Sequence, residues 1–149
     1  MMMPSDPTPD LVVIEPGLAV AGLEHLLDPV PLPLHPNPDG TVSLDAGDRD
    51  AVTRRFLHDV ASPALVEGAF SRLAPQSPLA FGTPTTAAAW QGAESTYLLC
   101  AEDANTPAGR QREHAQRATR VHTLPTGHHP FLSRPDLVAG HLTAILGRA

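Results

Sequence analysis

An acidic residue and a histidine follow two predicted strands of this chain. Residues 95–101 form a short apolar run bounded by polar residues, which is typical of a buried parallel strand, and residues 120–124 form a second run. Asp103 lies in the loop after the first strand, and His128 lies in the loop after the second. Because the carboxyl ends of consecutive parallel strands meet at one edge of a sheet, we expect these two side chains to lie within reach of each other.

This pairing of residue types suits acyl transfer. A carboxylate that orients a histidine, which in turn activates a nucleophile, is the arrangement found in catalytic triads. On this interpretation Asp103 is the acid and His128 is the general base. No G-x-S-x-G motif occurs in the sequence, so we find no nucleophilic serine to complete the triad.

The elements that must position this pair are predicted from periodicity and breaker residues. Helices are expected over residues 107–118 and 135–146, so the last third of the chain reads strand, helix, strand, helix, which predicts a parallel α/β sheet. The apolar side of the last helix is expected to consist of Leu137, Val138, Leu142, Ile145 and Leu146. Nine of the 17 prolines fall within residues 1–40 and favour loops and short helices there, and Asp39-Gly40 predicts a turn. One weak strand, at 11–14, is the other strand candidate in the first 90 residues.

The middle of the chain is predicted to be helical. Asp48 can cap a helix that runs to about His58, and Ser62-Pro63 can begin another that runs to about Leu73. The second helix is expected to bury its apolar positions, which are Leu65, Val66, Ala69, Phe70 and Leu73. Two further short helices are expected at 17–27 and 83–90. We therefore divide the chain into a helical and loop segment over 1–90, like a cap or lid, and a β-α-β-α part over 91–149.

The amino-acid sequence around the two loops resembles that of a known family. Residues 96–103, with Pro107 and Gln111, resemble the last-but-one strand of the salicylate/methyl-ester esterase and hydroxynitrile lyase branch of the α/β-hydrolases. Residues 124–135 resemble the histidine loop of its bacterial members, and 56–59 and 72–76 resemble its cap. The resemblance implies the C-terminal portion of an α/β-hydrolase fold: a helical cap segment plus the last two parallel strands and their helices.

The resemblance also implies a function and a site. The family would use Asp103 and His128 in hydrolysis of small carboxylic esters, in the chain order acid then histidine, with the serine earlier still. Trp90 and Phe131 would line the substrate pocket, and no cofactor is implied. His129 stands where hydroxynitrile lyases carry a lysine, which favours ester hydrolysis over lyase chemistry, and its side chain is expected to alternate away from the site.

Two departures from the family bear on whether the chain is active by itself. The family's early His-Gly oxyanion segment and its serine elbow are both absent from these 149 residues, so the isolated chain is expected to be inactive. Expected partners are a small ester substrate, if the site is completed, and either a complementary N-terminal half or a second copy of the chain. An exposed apolar edge is expected beside strand 96–101, where the rest of the sheet would dock. The alternative is a non-catalytic hydrolase remnant, an interaction module or a truncated reading frame.

Composition argues against several other classes. The ten basic residues are all Arg and are scattered in a chain of net charge −6, which argues against nucleic-acid binding. No run of about 18 apolar residues and no signal-peptide pattern occur, so we expect a cytoplasmic protein without membrane contact. A metal site built from His114, His122, His128 and His129 with Glu102 and Asp103 is the rival for this region, but no zinc spacing occurs there.

Overall fold

A parallel sheet carries the two loops of interest. In the computed structural model, which describes residues 11–12, 34–44, 48–79 and 93–147, the strands are β1 (Leu11–Val12), β2 (His35–Pro36), β3 (Val42–Ser43), β4 (Ser95–Cys100) and β5 (Arg120–Leu124). Within these residues β4 lies between β1 and β5, and both pairings are parallel. The predicted parallel sheet and the α/β fold class are thus confirmed.

The register of the sheet places the two loops side by side. Thr96 lies opposite Arg120, and Cys100 lies opposite Leu124, so both strands end at the same level. The backbone pairing continues past the strands, since the amide of Ala101 donates to the carbonyl of Leu124 and that of Glu102 to the carbonyl of Thr126. The loops that carry Asp103 and His128 therefore start from one rigid edge.

The weak strand predicted at 11–14 is present as β1. Leu11 pairs with Ser95 and Val12 with Thr96. We expected the edge of β4 away from β5 to be open for a missing part of the sheet, and that expectation is wrong over these two residues because β1 covers them. The helices predicted at 17–27 and 83–90 lie outside the described residues, as does most of the segment 1–90.

Two short helices follow the hairpin formed by β2 and β3. Helix α1 spans Arg49–Phe56, and the Asp48 side chain caps it by accepting a hydrogen bond from the amide of Ala51. Helix α2 spans Pro63–Phe70, and the Ser62 side chain accepts from the amide of Leu65. Both predicted N-caps are therefore present, where a side-chain oxygen satisfies an amide that the helix leaves unpaired.

Helix α2 ends three residues earlier than predicted. The carbonyl of Gly68 accepts hydrogen bonds from the Ser71 hydroxyl and the Arg72 guanidinium, which replace the amide donors of a further helical turn. Pro75 disfavours the helical conformation at the residue before it. Leu73 therefore lies beyond the helix and is 42% exposed, and Leu65 is 47% exposed. Our expectation that both are buried is wrong.

The buried apolar residues form two clusters. The first joins α1, α2 and the turn between them, and consists of Val52, Phe56, Leu57, Val60 and Phe70. The second joins the sheet to the last helix, and consists of Leu98, Leu124 and Val138. Leu132 packs against the first cluster, so the segment after the histidine loop is anchored on the helices of the cap-like segment.

Three helices complete the C-terminal part. Helix α3 spans Ala108–Ala115 between the two long strands, α4 spans Pro130–Ser133, and α5 spans Pro135–Leu146. Leu137, Val138 and Leu142 of α5 pack on the second cluster. Leu146 is 75% exposed, contrary to its predicted place on the apolar side, because the helix ends there. Within the described ranges, no helix is long and apolar enough to cross a bilayer.

Candidate active site

The structure brings the predicted acid and histidine into direct contact. The Nδ1 atom of His128 lies 3.0 Å from Oδ2 and 3.1 Å from Oδ1 of Asp103. The Asp103 side chain has no exposed surface, and that of His128 is 11% exposed. A carboxylate that accepts from Nδ1–H favours the tautomer in which Nε2 carries a free lone pair. Within the described part of the chain no hydrogen-bond partner of Nε2 is found.

The loop after β4 folds back around the carboxylate of Asp103. Its Oδ1 atom accepts hydrogen bonds from the backbone amides of Asn105 at 2.7 Å and Thr106 at 2.9 Å. An aspartate that caps its own turn in this way is held in one orientation. The turn therefore aims the carboxylate at the next loop, where His128 lies.

Gln111 ties this loop to the end of the strand, and sequence reasoning named it only as part of the resemblance. Its side chain is fully buried. Its Nε2 donates to the carbonyls of Cys100 and Thr106, and its Oε1 accepts from the amide of Cys100. Nε2 also lies 3.4 Å from Oδ2 of Asp103. One amide side chain on α3 thus satisfies three backbone groups and fixes the acid loop.

Aromatic rings surround the imidazole of His128. The ring of Phe56, on α1, meets it edge to face at a centroid distance of 5.0 Å. The ring of His129 lies 4.7 Å away, also edge to face. We expected the side chain of His129 to point away from the site, and this is wrong because its ring lies between those of His128, Phe56 and Phe131.

The environment of His129 keeps it neutral. Burial, and after it the neighbouring charge of His128, lowers its pKa from 6.5 to about 4, against smaller opposing effects of Asp103 and Asp59. Desolvation disfavours the charged imidazolium. At neutral pH His128 therefore has an uncharged neighbour, and a positive charge that develops on His128 meets no second cation in this pair.

Asp59 is a further residue at this site that sequence reasoning missed. It lies in the turn between α1 and α2, and its Oδ2 atom accepts a hydrogen bond of 2.6 Å from the amide of Gly127, the residue before His128. The two residues are 68 positions apart. Residues 56–59 resemble the cap of the family and so point to this segment, but no pattern in one sequence links Asp59 to Gly127.

One of the two predicted pocket residues, Phe131, lies within the described residues. Trp90 lies outside the described residues. Phe131 is 48% exposed, and its ring centroid lies 5.2 Å from that of His129, so it is next to the site. Its role in binding substrate stays a prediction. In the part of the chain that the structure describes, no group of three or more metal-ligating side chains lies together.

This combination of parallel sheet, acid loop and histidine loop is what the α/β-hydrolase fold provides, and the comparisons agree. The family model described as "Alpha/beta hydrolase family" matches residues 3–141. The alpha/beta hydrolase nvfD of Aspergillus novofumigatus is 32% identical over 114 residues, which cover 74% of this chain and 44% of nvfD. The chain belongs to the alpha/beta hydrolase family.

Solved structures show the same fold at lower identity. A variant of the pyrethroid hydrolase PytH matches with a TM-score of 0.70 and 19% identity, over 94% of this chain and 61% of that one. Polyneuridine aldehyde esterase gives 0.59 and 22%, over 80% and 49%. A methylesterase from Arabidopsis gives 0.60 and 16%, over 74% and 48%. These structures show the same fold, the predicted membership of the α/β-hydrolases is confirmed, and the chain spans roughly half the length of these relatives.

Proposed function

We propose that this chain supplies the acid, Asp103, and the general base, His128, of a Ser-His-Asp triad that hydrolyses small carboxylic esters. The contact between Nδ1 of His128 and the buried carboxylate of Asp103 carries the proposal. Membership of the hydrolase family supports the reaction class.

The nucleophile must come from a segment other than these 149 residues. The sequence holds no G-x-S-x-G, the motif that places a serine on a sharp turn between strand and helix in this fold. The hydroxyl groups of Ser95 and Ser133 do not replace it. Ser95 begins β4, at the end of the strand remote from the acid loop. The Ser133 hydroxyl donates to the carbonyl of His129. We propose that an N-terminal half, on the same polypeptide or on a second one, brings the serine and the oxyanion donors.

The proposed geometry dictates the order of proton transfers. Nε2 of His128 removes the proton of the serine hydroxyl as its oxygen attacks the ester carbonyl, and the carboxylate of Asp103 stabilises the imidazolium through Nδ1–H. The imidazolium then protonates the leaving alcohol, which yields the acyl-enzyme. A water molecule, deprotonated by the same nitrogen, releases the carboxylic acid.

The surroundings of His128 favour an uncharged, partly apolar substrate. Phe56 and the neutral ring of His129 pack on its ring, Phe131 packs on the ring of His129, and none of them offers a charge to pair with an ionic substrate. The printed names of the structural relatives include a pyrethroid hydrolase, an aldehyde esterase and a methylesterase, which supports esters as the substrate class. Phe131 and Trp90 are the pocket residues that we propose.

Completing the chain tests this proposal. The 149-residue chain and the same chain joined to the N-terminal half of PytH are compared for hydrolysis of p-nitrophenyl acetate and for labelling by a fluorophosphonate. We expect the chain alone to show no more hydrolysis than exposed imidazoles give, and the joined protein to be labelled and active, because the positioned serine and oxyanion donors supply most of the rate.

Two outcomes would contradict the proposal. Serine-type hydrolysis by the 149-residue chain alone would mean that another hydroxyl acts as the nucleophile. A joined protein that melts cooperatively and binds a substrate ester, yet is neither labelled nor active, would mean that Asp103 and His128 serve another purpose.

A further inference from the structure

A short segment of the cap-like region reaches both loops of the proposed triad. Three side chains between residues 55 and 59 make separate contacts there. The Arg55 guanidinium donates to Oδ1 of Asn105 at 2.6 Å, in the acid loop. Phe56 packs edge to face on His128, and Asp59 accepts from the amide of Gly127. The end of α1 and its turn thus contact the acid loop, the histidine ring and the histidine loop together.

The contact between Asp59 and Gly127 is close enough to require glycine. A Cβ atom at position 127 would lie 2.5 Å from Oδ1 and 2.8 Å from Cγ of Asp59, and 2.8 Å from Cε1 of His58. Gly127 is buried, and its φ is not in the left-handed region, since Gly40 alone among the described residues has a positive φ. The backbone conformation would accept alanine, so the side chains of Asp59 and His58 are what exclude a Cβ atom there, and the closest contact is with the carboxylate of Asp59.

The carboxylate is held there at a cost. Its Oδ1 atom is buried and has no hydrogen-bond partner among the described residues, and an unsatisfied buried oxygen destabilises a fold. A core that needed only to fill this space would do better with an apolar side chain. The charged acceptor 2.6 Å from the Gly127 amide gains a strong hydrogen bond, and that bond fixes the residue just before His128.

We propose that Asp59 is a positioning residue for the Asp103–His128 pair, which acts through Gly127, with Arg55 and Phe56 as secondary supports. The inference rests on the proposed function. Catalytic groups must be held within a fraction of an ångström by surrounding contacts, and the histidine loop of this chain is held from the sheet side by its strand and from the cap side by Asp59. The cap-like segment therefore sets the aim of the general base.

The ring nitrogens of His128 report this directly. In the ¹⁵N-histidine-labelled 149-residue chain, with His128 assigned by its loss in His128→Gln, we expect one fixed tautomer with a protected, downfield Nδ1–H proton. Asp59→Ala should lose that proton signal and mix the tautomers. Asp59→Asn should retain it, since an amide oxygen still accepts from Gly127. Asp48→Ala is the matched control, because it removes a helix-capping carboxylate of the same segment that does not touch the histidine loop.

A double-mutant cycle tests the contact independently of the histidine signal. Gly127→Ala should lower the thermal midpoint sharply because its methyl group meets the Asp59 carboxylate. In the Gly127→Ala background, Asp59→Ala should cause little further loss or a partial recovery, because trimming Asp59 removes the two clashes with its carboxylate and leaves the one with His58. Losses that simply add would show that the glycine is required for another reason.

Turnover of the joined protein separates this inference from the proposed function. We expect Asp59→Ala to lower kcat on the order of tenfold or more with little change in KM, and Asp59→Asn to restore most of it. An unchanged Nδ1–H signal and kcat in Asp59→Ala, or equal effects of Asp48→Ala, would overturn the positioning role. An inactive joined protein that keeps the Asp59-dependent Nδ1–H signal would instead refute the esterase proposal and leave the positioning role intact.

Discussion

At the scale of single residues, the site depends on one buried carboxylate with several donors. Asp103 receives two backbone amides and the histidine ring, so its position is set by the loop that it caps. His128 has no comparable support from its own loop, and its orientation depends on Asp103, Phe56 and Asp59. The pair is therefore asymmetric: the acid is fixed locally, and the base is fixed by residues distant in sequence.

Asp103→Asn should separate orientation from charge. The asparagine can still cap the turn, but it offers Nδ1 of His128 a neutral partner and permits the wrong tautomer. We expect kcat of the joined protein to fall on the order of a thousandfold or more, with the fold retained. The measurement is esterase turnover beside a circular dichroism melt. Glu102→Gln, at the exposed neighbouring position, is the control and should keep near-normal turnover.

At the scale of elements, α3 supports the acid loop through Gln111. Gln111→Ala should leave buried backbone groups of Cys100 and Thr106 without partners. We expect a loss of about 3 kcal/mol in the free energy of unfolding, from two or more unsatisfied groups. Urea denaturation measures this, with Gln116→Ala, the same substitution at the exposed C-cap of the same helix, as control. A loss of less than about 1 kcal/mol would show that water replaces the amide.

Elements were predicted well where local signals act alone. The strand at 120–124, the helix at 135–146 and the caps at Asp48 and Ser62 follow from periodicity and capping chemistry, and the structure has all of them. The turn at Asp39-Gly40 is also present, with Gly40 in the left-handed region. The loops of Asp103 and His128 were predicted to meet because parallel strands align their ends, and these two side chains are in contact.

What the sequence could not provide depends on contacts between distant segments. The spacing of Leu65 and Leu73 suits an apolar helix face, but which side of α2 is covered depends on the elements packed against it. The hydrogen bond from the Gly127 amide to Asp59 joins residues 68 positions apart, and neither residue type indicates which residue it will contact. Periodicity describes one element at a time, so it could not predict the contacts between elements that hold the candidate site.

At the scale of the whole molecule, the neutral state of His129 makes stability depend on pH. Its pKa is about 4 in the folded chain and near 6.5 when unfolded. Between these values the unfolded chain binds a proton that the folded chain does not, so this group lowers stability as the pH falls from 6.5 to 4. Above 6.5 it has no effect.

The thermal midpoint should therefore decline over that range, and His129→Gln should reduce the decline. Midpoints at several pH values from 4 to 7 measure it by calorimetry. His35→Gln, at a histidine of the β2–β3 hairpin, serves as the control and should leave the decline unchanged. A wild-type midpoint that is flat across this range would show that His129 is protonated without cost in the folded chain.

The surface of the chain suggests that it associates. Among the described residues six large apolar side chains are exposed, of which Leu79 at 72% and Leu146 at 75% are the most exposed. In the described sheet β5 pairs on one side only, which leaves backbone donors and acceptors that favour association. We expect light scattering of the 149-residue chain to give a mass above that of one chain, and joining the N-terminal half to reduce it. A sharply melting monomer would contradict this expectation.

We propose above that His128 is the general base of a serine hydrolase. The most direct test of this proposal is kcat/KM for p-nitrophenyl acetate in the joined protein, compared between His128→Ala and His141→Ala. His141 lies on α5 with its ring against that of His122, so its loss controls for removal of an imidazole. We expect His128→Ala to lower kcat/KM on the order of 10⁴-fold or more, and His141→Ala to leave it within about twofold. Equal activities of the two variants would contradict the proposal.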